Sequence, residues 1–138
     1  MRIAAFSAAL FGAGMIAGCT MSDRPSARAD ADPRGEAAVA QSLAGRTAGP
    51  PQSCINLATS RSNRSFTRDV ILFGEGSRIY VNRPRGGCDA LQEGRALITR
   101  TGTSQLCSGD IVQVTDLTSG VTYGSCSLGD FVPYVRRR

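Results

Sequence analysis

Val70-Ile71-Leu72-Phe73-Gly74-Glu75-Gly76-Ser77-Arg78-Ile79-Tyr80-Val81 is the stretch whose reading decides the fold class. Four apolar residues in succession meet Gly-Glu-Gly and are answered by a second short apolar run. That pattern predicts a β-hairpin with a glycine-rich turn. A half-exposed strand would alternate apolar with polar residues. An unbroken run asks instead for cover on both faces, or for a place at a barrel corner.

The surrounding chain repeats the theme. Cys54-Ile55-Asn56-Leu57 carries two apolar residues at period two, and Ala96-Leu97-Ile98-Thr99 reads as a strand. Leu106 to Asp110 bends into Ile111-Val112-Gln113-Val114-Thr115, and Val121 to Cys126 returns antiparallel after a turn at Leu117 to Gly120. Leu128 to Val135 closes the domain, with Pro133 pointing to an edge or a strand end because proline has no N–H to donate. Arg83-Pro84-Arg85-Gly86-Gly87 is a loop, and Cys88 to Gly94 has the composition of a single helical turn. About six or seven short strands at close spacing predict an all-β fold, a small disulfide-stabilised barrel or sandwich with room for one short helix. The expected domain spans 54–138.

Upstream the composition changes. Residues 20–53 are dominated by Ala, Arg, Asp, Gly, Pro and Ser, with Met21, Val39 and Leu43 the few larger apolar residues. Such a stretch buries too little surface to offset ordering entropy. Glu36 to Ala44 favours helix, but nine residues are marginal in isolation. The expectation is a flexible tether over 19–53.

Residues 1–18 form an expected signal peptide. Arg2 is followed by an uncharged apolar run ending at Ile16-Ala17-Gly18-Cys19. The run is too short for a spanning helix and suits a signal core. This ending resembles the cleavage and lipidation box of bacterial lipoproteins. The resemblance implies cleavage before Cys19, a lipid thioether on its sulfur and an acylated new amine, such as a palmitate. Two or more chains anchor stably where one is marginal. Thr20, rather than Asp, follows the lipidated position, which by the same resemblance favours the outer membrane, facing the periplasm.

Cys54, Cys88, Cys107 and Cys126 are an even set in an exported chain, so two disulfides are the default. Three pairings exist. Antiparallel pairing of 121–125 with 111–114 disfavours Cys107–Cys126 without separating the other two; the preferred expectation is Cys54–Cys126 with Cys88–Cys107. A zinc site fails on spacing, since there is no Cys-x-x-Cys and no histidine. Around these cysteines, Cys54-Ile55, Asp69 before an apolar run, Tyr80-Val81-Asn82, Cys88 with Leu91, Leu106-Cys107-Ser108-Gly109-Asp110 and Cys126-Ser127-Leu128-Gly129-Asp130-Phe131-Val132-Pro133-Tyr134 resemble a proteobacterial family of small exported proteins of unknown function. That resemblance implies no activity, cofactor or substrate.

Composition narrows the function classes. The 138-residue chain has no His, no Trp and a formal net charge of +5. Every cation is an arginine. Without histidine there is no Ser-His-Asp triad, no Cys-His pair and no His-ligated zinc. Nothing in the sequence calls for a catalytic residue, a cofactor, a metal or a nucleic acid. Asp89, Asp110, Asp116, Asp130 and Glu75 are the carboxylates on which an enzyme would have to draw, and Gly-Asp before a strand is ordinary turn chemistry. Arg83 and Arg85, with Arg95 nearby, flank one loop region and suit an anion. Tyr80 and Tyr134 are the candidate aromatic contacts. The expected function is a membrane-tethered envelope lipoprotein, a non-catalytic binding or structural module facing cell-wall or other anionic polymers. The alternative is a periplasmic enzyme using Asp, Tyr and Arg.

Overall fold

The 70–82 hairpin forms in the register that its two apolar runs suggest, with Leu72 opposite Val81 and Phe73 opposite Tyr80. The computed structural model describes residues 32–92 and 95–137. In chain order these hold α1 (Pro33–Leu43), β1 (Arg46–Ala48), β2 (Cys54–Asn56), β3 (Asn63–Thr67), β4 (Val70–Phe73), β5 (Arg78–Asn82), β6 (Arg95–Thr99), β7 (Gln105–Cys107), β8 (Ile111–Asp116), β9 (Thr122–Ser127) and β10 (Phe131–Arg136). The all-β expectation holds: the sheets are sandwich-like, not closed into a barrel. Strands outnumber the six or seven expected because β1 and β7 have only three residues each and β3 holds a single apolar residue, Phe66, so none of them shows an apolar period.

One antiparallel sheet has the order β1-β10-β5-β4-β3; β6-β8-β9 and β2-β7 make two smaller ones. The large sheet is covered on both faces. Ile71, Phe73, Tyr80 and Phe131 join Ile55, Leu97, Leu106, Val112, Val114 and Leu128 in one core cluster. Val70, Leu72, Ile79 and Val81 form a second cluster with Val39 of α1. Side chains alternate across a strand. This is why all four residues of β4 are buried: two serve each cluster.

The spacer expected over 19–53 is corrected for its second half. Residues 33–48 belong to the folded body. Asp32 caps α1, accepting from the Arg34 N–H at 3.0 Å, and Pro33 stands at the first helical position, where its missing N–H costs nothing. Val39 is buried against the sheet and Leu43 packs beside it. Gly35 lets the helix approach β3 so closely that a Cβ there would meet the Phe66 carbonyl oxygen. β1 then pairs with β10, Ala48 lying opposite Tyr134. A helix too short to stand alone is held by the apolar face it covers. Cys19 and the whole of residues 1–31 lie outside the described residues.

Two further expectations change. The segment from Cys88 makes a hydrogen-bonded turn, Leu91 N–H to the Cys88 carbonyl at 2.8 Å, and no helix within the described part. Pro133 is not on an edge strand, since β10 lies between β1 and β5. Its carbonyl accepts from Gly49 N–H at 2.8 Å, just past the last β1–β10 pair. The facing chain there is Gly49-Pro50-Pro51, so the donor that proline lacks falls where regular pairing has already stopped.

The four cysteines form two disulfides, as expected, but the preferred pairing is wrong. The bonds are Cys54–Cys107 and Cys88–Cys126. β2 pairs with β7 so that Cys54 and Cys107 are direct cross-strand partners, 4.0 Å apart at Cα. Cys126 sits opposite the buried Val112 on β9, so its side chain turns inward and meets the buried Cys88. The tie of first to last strand fails because β2 borders β7, not β9 or β10. Cys107–Cys126, disfavoured from the β8–β9 hairpin, is indeed absent.

Candidate functional site

The residues singled out from sequence do not converge. Tyr80 and Tyr134 face opposite sides of the large sheet. Pro133 is the cross-strand partner of Tyr80 and Ile79 that of Tyr134, so the two tyrosines fall one step out of phase. Tyr80 is only 7% exposed and lies in the main core. Tyr134 packs with the cluster under α1. The pair is therefore packing, not a shared contact face, because a period-two register separates them.

Arg83 and Arg85 do share the loop after β5. Arg85 is tied down: its backbone bridges Ser127, and its guanidinium donates to Ser108 Oγ at 3.0 Å. Arg83 has an exposed side chain, while its carbonyl sits against Gly129, where a Cβ could not fit. Arg95 is elsewhere. It stacks over the Tyr123 ring at 3.7 Å and donates to the Ala90 carbonyl at 2.6 Å.

The carboxylates are spread over separate turns. Asp110 accepts from Cys107 N–H at 2.7 Å. Asp116 accepts from Thr118 and Ser119 N–H at 2.7 and 3.2 Å. Those backbone donors, Ser119 first, hold its carboxyl below the usual range, with Arg95 a minor contributor. Asp89 pairs with Arg68 at 3.4 Å. Among the described residues, no three His, Cys, Asp or Glu side chains gather as a metal would need. An open cleft of about 650 Å³ lies between the start of α1 and the β3–β4 turn, bordered by Asp32, Glu36, Phe66, Asp69 and Gln92. Its rim mixes both signs of charge.

The group that sequence reading missed is cationic. Arg46 and Arg136 are direct cross-strand partners on β1 and β10, so both side chains leave the same face. That is the face α1 covers, since Ala48 and Tyr134 follow in the same phase. The Arg46 guanidinium is fixed by three backbone carbonyls: Ser42 in the last turn of α1 at 3.2 Å, Ser77 at 3.0 Å and Gly76 at 2.7 Å. Arg64 on β3 pairs with Leu72, which puts it on the same face again. Burial, then the charges of Arg136 and Arg64, lower the pKa of Arg46. Arg46 and Arg136 therefore stand together beside the β4–β5 turn, whose Gly76 and Ser77 carbonyls hold the Arg46 guanidinium. Their separation along the chain hid this, because only the β1–β10 pairing joins them. No family model, curated protein or solved structure matches the chain, so the assignment of any role rests on its own residues.

Proposed function

We propose that this protein is an envelope lipoprotein, tethered through lipid on Cys19 in the periplasm-facing leaflet of the outer membrane, whose β domain binds or supports other envelope components without catalysing a reaction. The observation that carries this reading is the pair of disulfides inside a small β body. Such bonds persist in oxidising compartments and are rare in the cytosol, which agrees with export behind Ile16-Ala17-Gly18-Cys19. The carboxylates support binding over an enzyme built on Asp, Tyr and Arg, because Asp110 and Asp116 are spent on local turn hydrogen bonds. The test is Cys19→Ser in the native host, followed by labelled palmitate and membrane fractionation. Loss of label, with the protein unprocessed or soluble, is expected. Unchanged labelling and membrane retention would overturn the anchor.

A further inference from the structure

We infer that the tip of the β8–β9 hairpin is a lipid-contact site, at which Leu117 and Val121 enter the acyl boundary of a bilayer while Tyr123 and Arg95 meet its headgroups. Five large apolar side chains are exposed among the described residues, and three of them, Leu117, Val121 and Tyr123, belong to this one turn and its edge. Leu117 is 72% exposed and the other two 49% each. Single exposed apolar residues are ordinary, but several gathered at one turn form a contact surface. The residues between Leu117 and Val121 are Thr118-Ser119-Gly120, which carry no charge.

The turn's own polar groups favour lipid as the occupant. Entering a low-dielectric layer costs free energy for every backbone group left without a partner. Here Thr118 and Ser119 N–H donate to Asp116 Oδ1 at 2.7 and 3.2 Å. Gly120 N–H donates to the Asp116 carbonyl at 2.8 Å, and Asp116 N–H to the Val121 carbonyl at 2.9 Å. Val121 N–H donates to Ser119 Oγ at 3.4 Å. The donors from Thr118 to Val121 are thus satisfied without water. The carboxylate of the turn, Asp116, is the cross-strand partner of Arg95 on β6, which puts a cation on the same face. Arg95 stacks over the Tyr123 ring and donates to the Ala90 carbonyl, and a guanidinium has five donors, enough to meet a lipid phosphate as well. Apolar residues at the turn, with a tyrosine and an arginine just behind them, follow the layering of a bilayer from chains to headgroups. The net charge of +5 suits anionic headgroups. A second protein is a poorer occupant. Three side chains on a turn fall far short of the roughly 800 Å² per partner that a stable protein interface buries, whereas a bilayer needs no complementary shape.

The contact rests on the proposed envelope role only for the presence of a bilayer. The experiment uses the full chain with both disulfides intact, with Cys19 and as Cys19→Ser. The chain has no Trp, so Leu117→Trp installs a single fluorescent reporter at the tip. Ile111→Trp, in a separate protein, installs one at the exposed far end of β8, about 20 Å along the strand. Each protein is mixed with vesicles of phosphatidylethanolamine and phosphatidylglycerol, with and without bromine on the acyl chains. The Leu117→Trp protein should shift its emission to the blue and be quenched by the brominated chains; the Ile111→Trp protein should do neither. Adding Val121→Ser to Leu117→Trp should shift the equilibrium about tenfold toward the free tip, read as weaker quenching at the same lipid concentration. Because these side chains are exposed, every variant should melt where the unmodified protein does. Quenching in the Cys19→Ser form keeps the tip contact standing even where palmitate labelling refutes the anchor. The lipid contact is overturned if the Leu117→Trp emission neither shifts nor is quenched, or if the Ile111→Trp protein is quenched equally. It is also overturned if the blue shift appears without vesicles in a protein that sediments as a dimer, which would assign the tip to a second copy of the chain.

Discussion

Asn82 shows how one side chain can join distant parts of this chain. It is fully buried, yet its amide is satisfied: Nδ2 donates to the Gly129 carbonyl at 2.7 Å and Oδ1 accepts from Gly129 N–H at 3.1 Å. Gly129 in turn lies against the Arg83 backbone with no room for a Cβ. Asn82→Ala leaves two buried backbone groups without partners, and each such group costs about 1–3 kcal/mol. A loss of about 2–4 kcal/mol in urea unfolding is expected, with no change in disulfide content. Asp116 makes a smaller, pH-dependent contribution. Its folded pKa is depressed, so its stabilisation is present above the ordinary value of 3.8 and is lost as pH falls through the lower folded value. A carboxyl NMR titration should place the Asp116 midpoint below 3.8, and Asp116→Asn should flatten that part of the acid stability profile.

At the scale of elements, α1 decides where the domain starts. Its apolar face is narrow, with Val39 buried and Leu43 partly so, and intrinsic propensity alone would not keep it folded. Gly35 shows which effect dominates. Alanine is the better helix former by about 1 kcal/mol, but at this position its Cβ would strike the Phe66 carbonyl and the Thr67 methyl. Gly35→Ala should therefore destabilise, by about 1–3 kcal/mol as overpacking does, measured by thermal or urea unfolding. A chain truncated to begin at residue 49 would lose α1 and β1 and bare Val70, Leu72, Ile79 and Val81. It should aggregate or bind a hydrophobic dye, where a chain beginning at residue 32 should not.

Across the whole molecule, the disulfides compensate for a small, divided core. The cysteines of each bond are 53 and 38 residues apart, and restricting the unfolded chain over such loops is worth about 4 kcal/mol each. Peptide mapping without reduction should recover Cys54 with Cys107 and Cys88 with Cys126. Recovery of Cys54 with Cys126 would contradict the β2–β7 pairing. Reduction should cost several kcal/mol, enough to unfold a domain whose total stability is about 5–15 kcal/mol.

By itself the sequence determined the features that neighbouring residues control. The β4–β5 hairpin was legible because its two apolar runs and the Gly74–Gly76 turn lie within a dozen positions. The burial of all four β4 residues and the existence of two disulfides could be read from composition and cysteine parity. The sandwich, the permanence of α1, the cysteine partners and the pairing of Arg46 with Arg136 depend on which strands become neighbours. That choice is made by burial of both faces of the large sheet at once. Local propensity carries no information about such non-local pairing, so Arg46 meets Arg136 only once β1 has paired with β10.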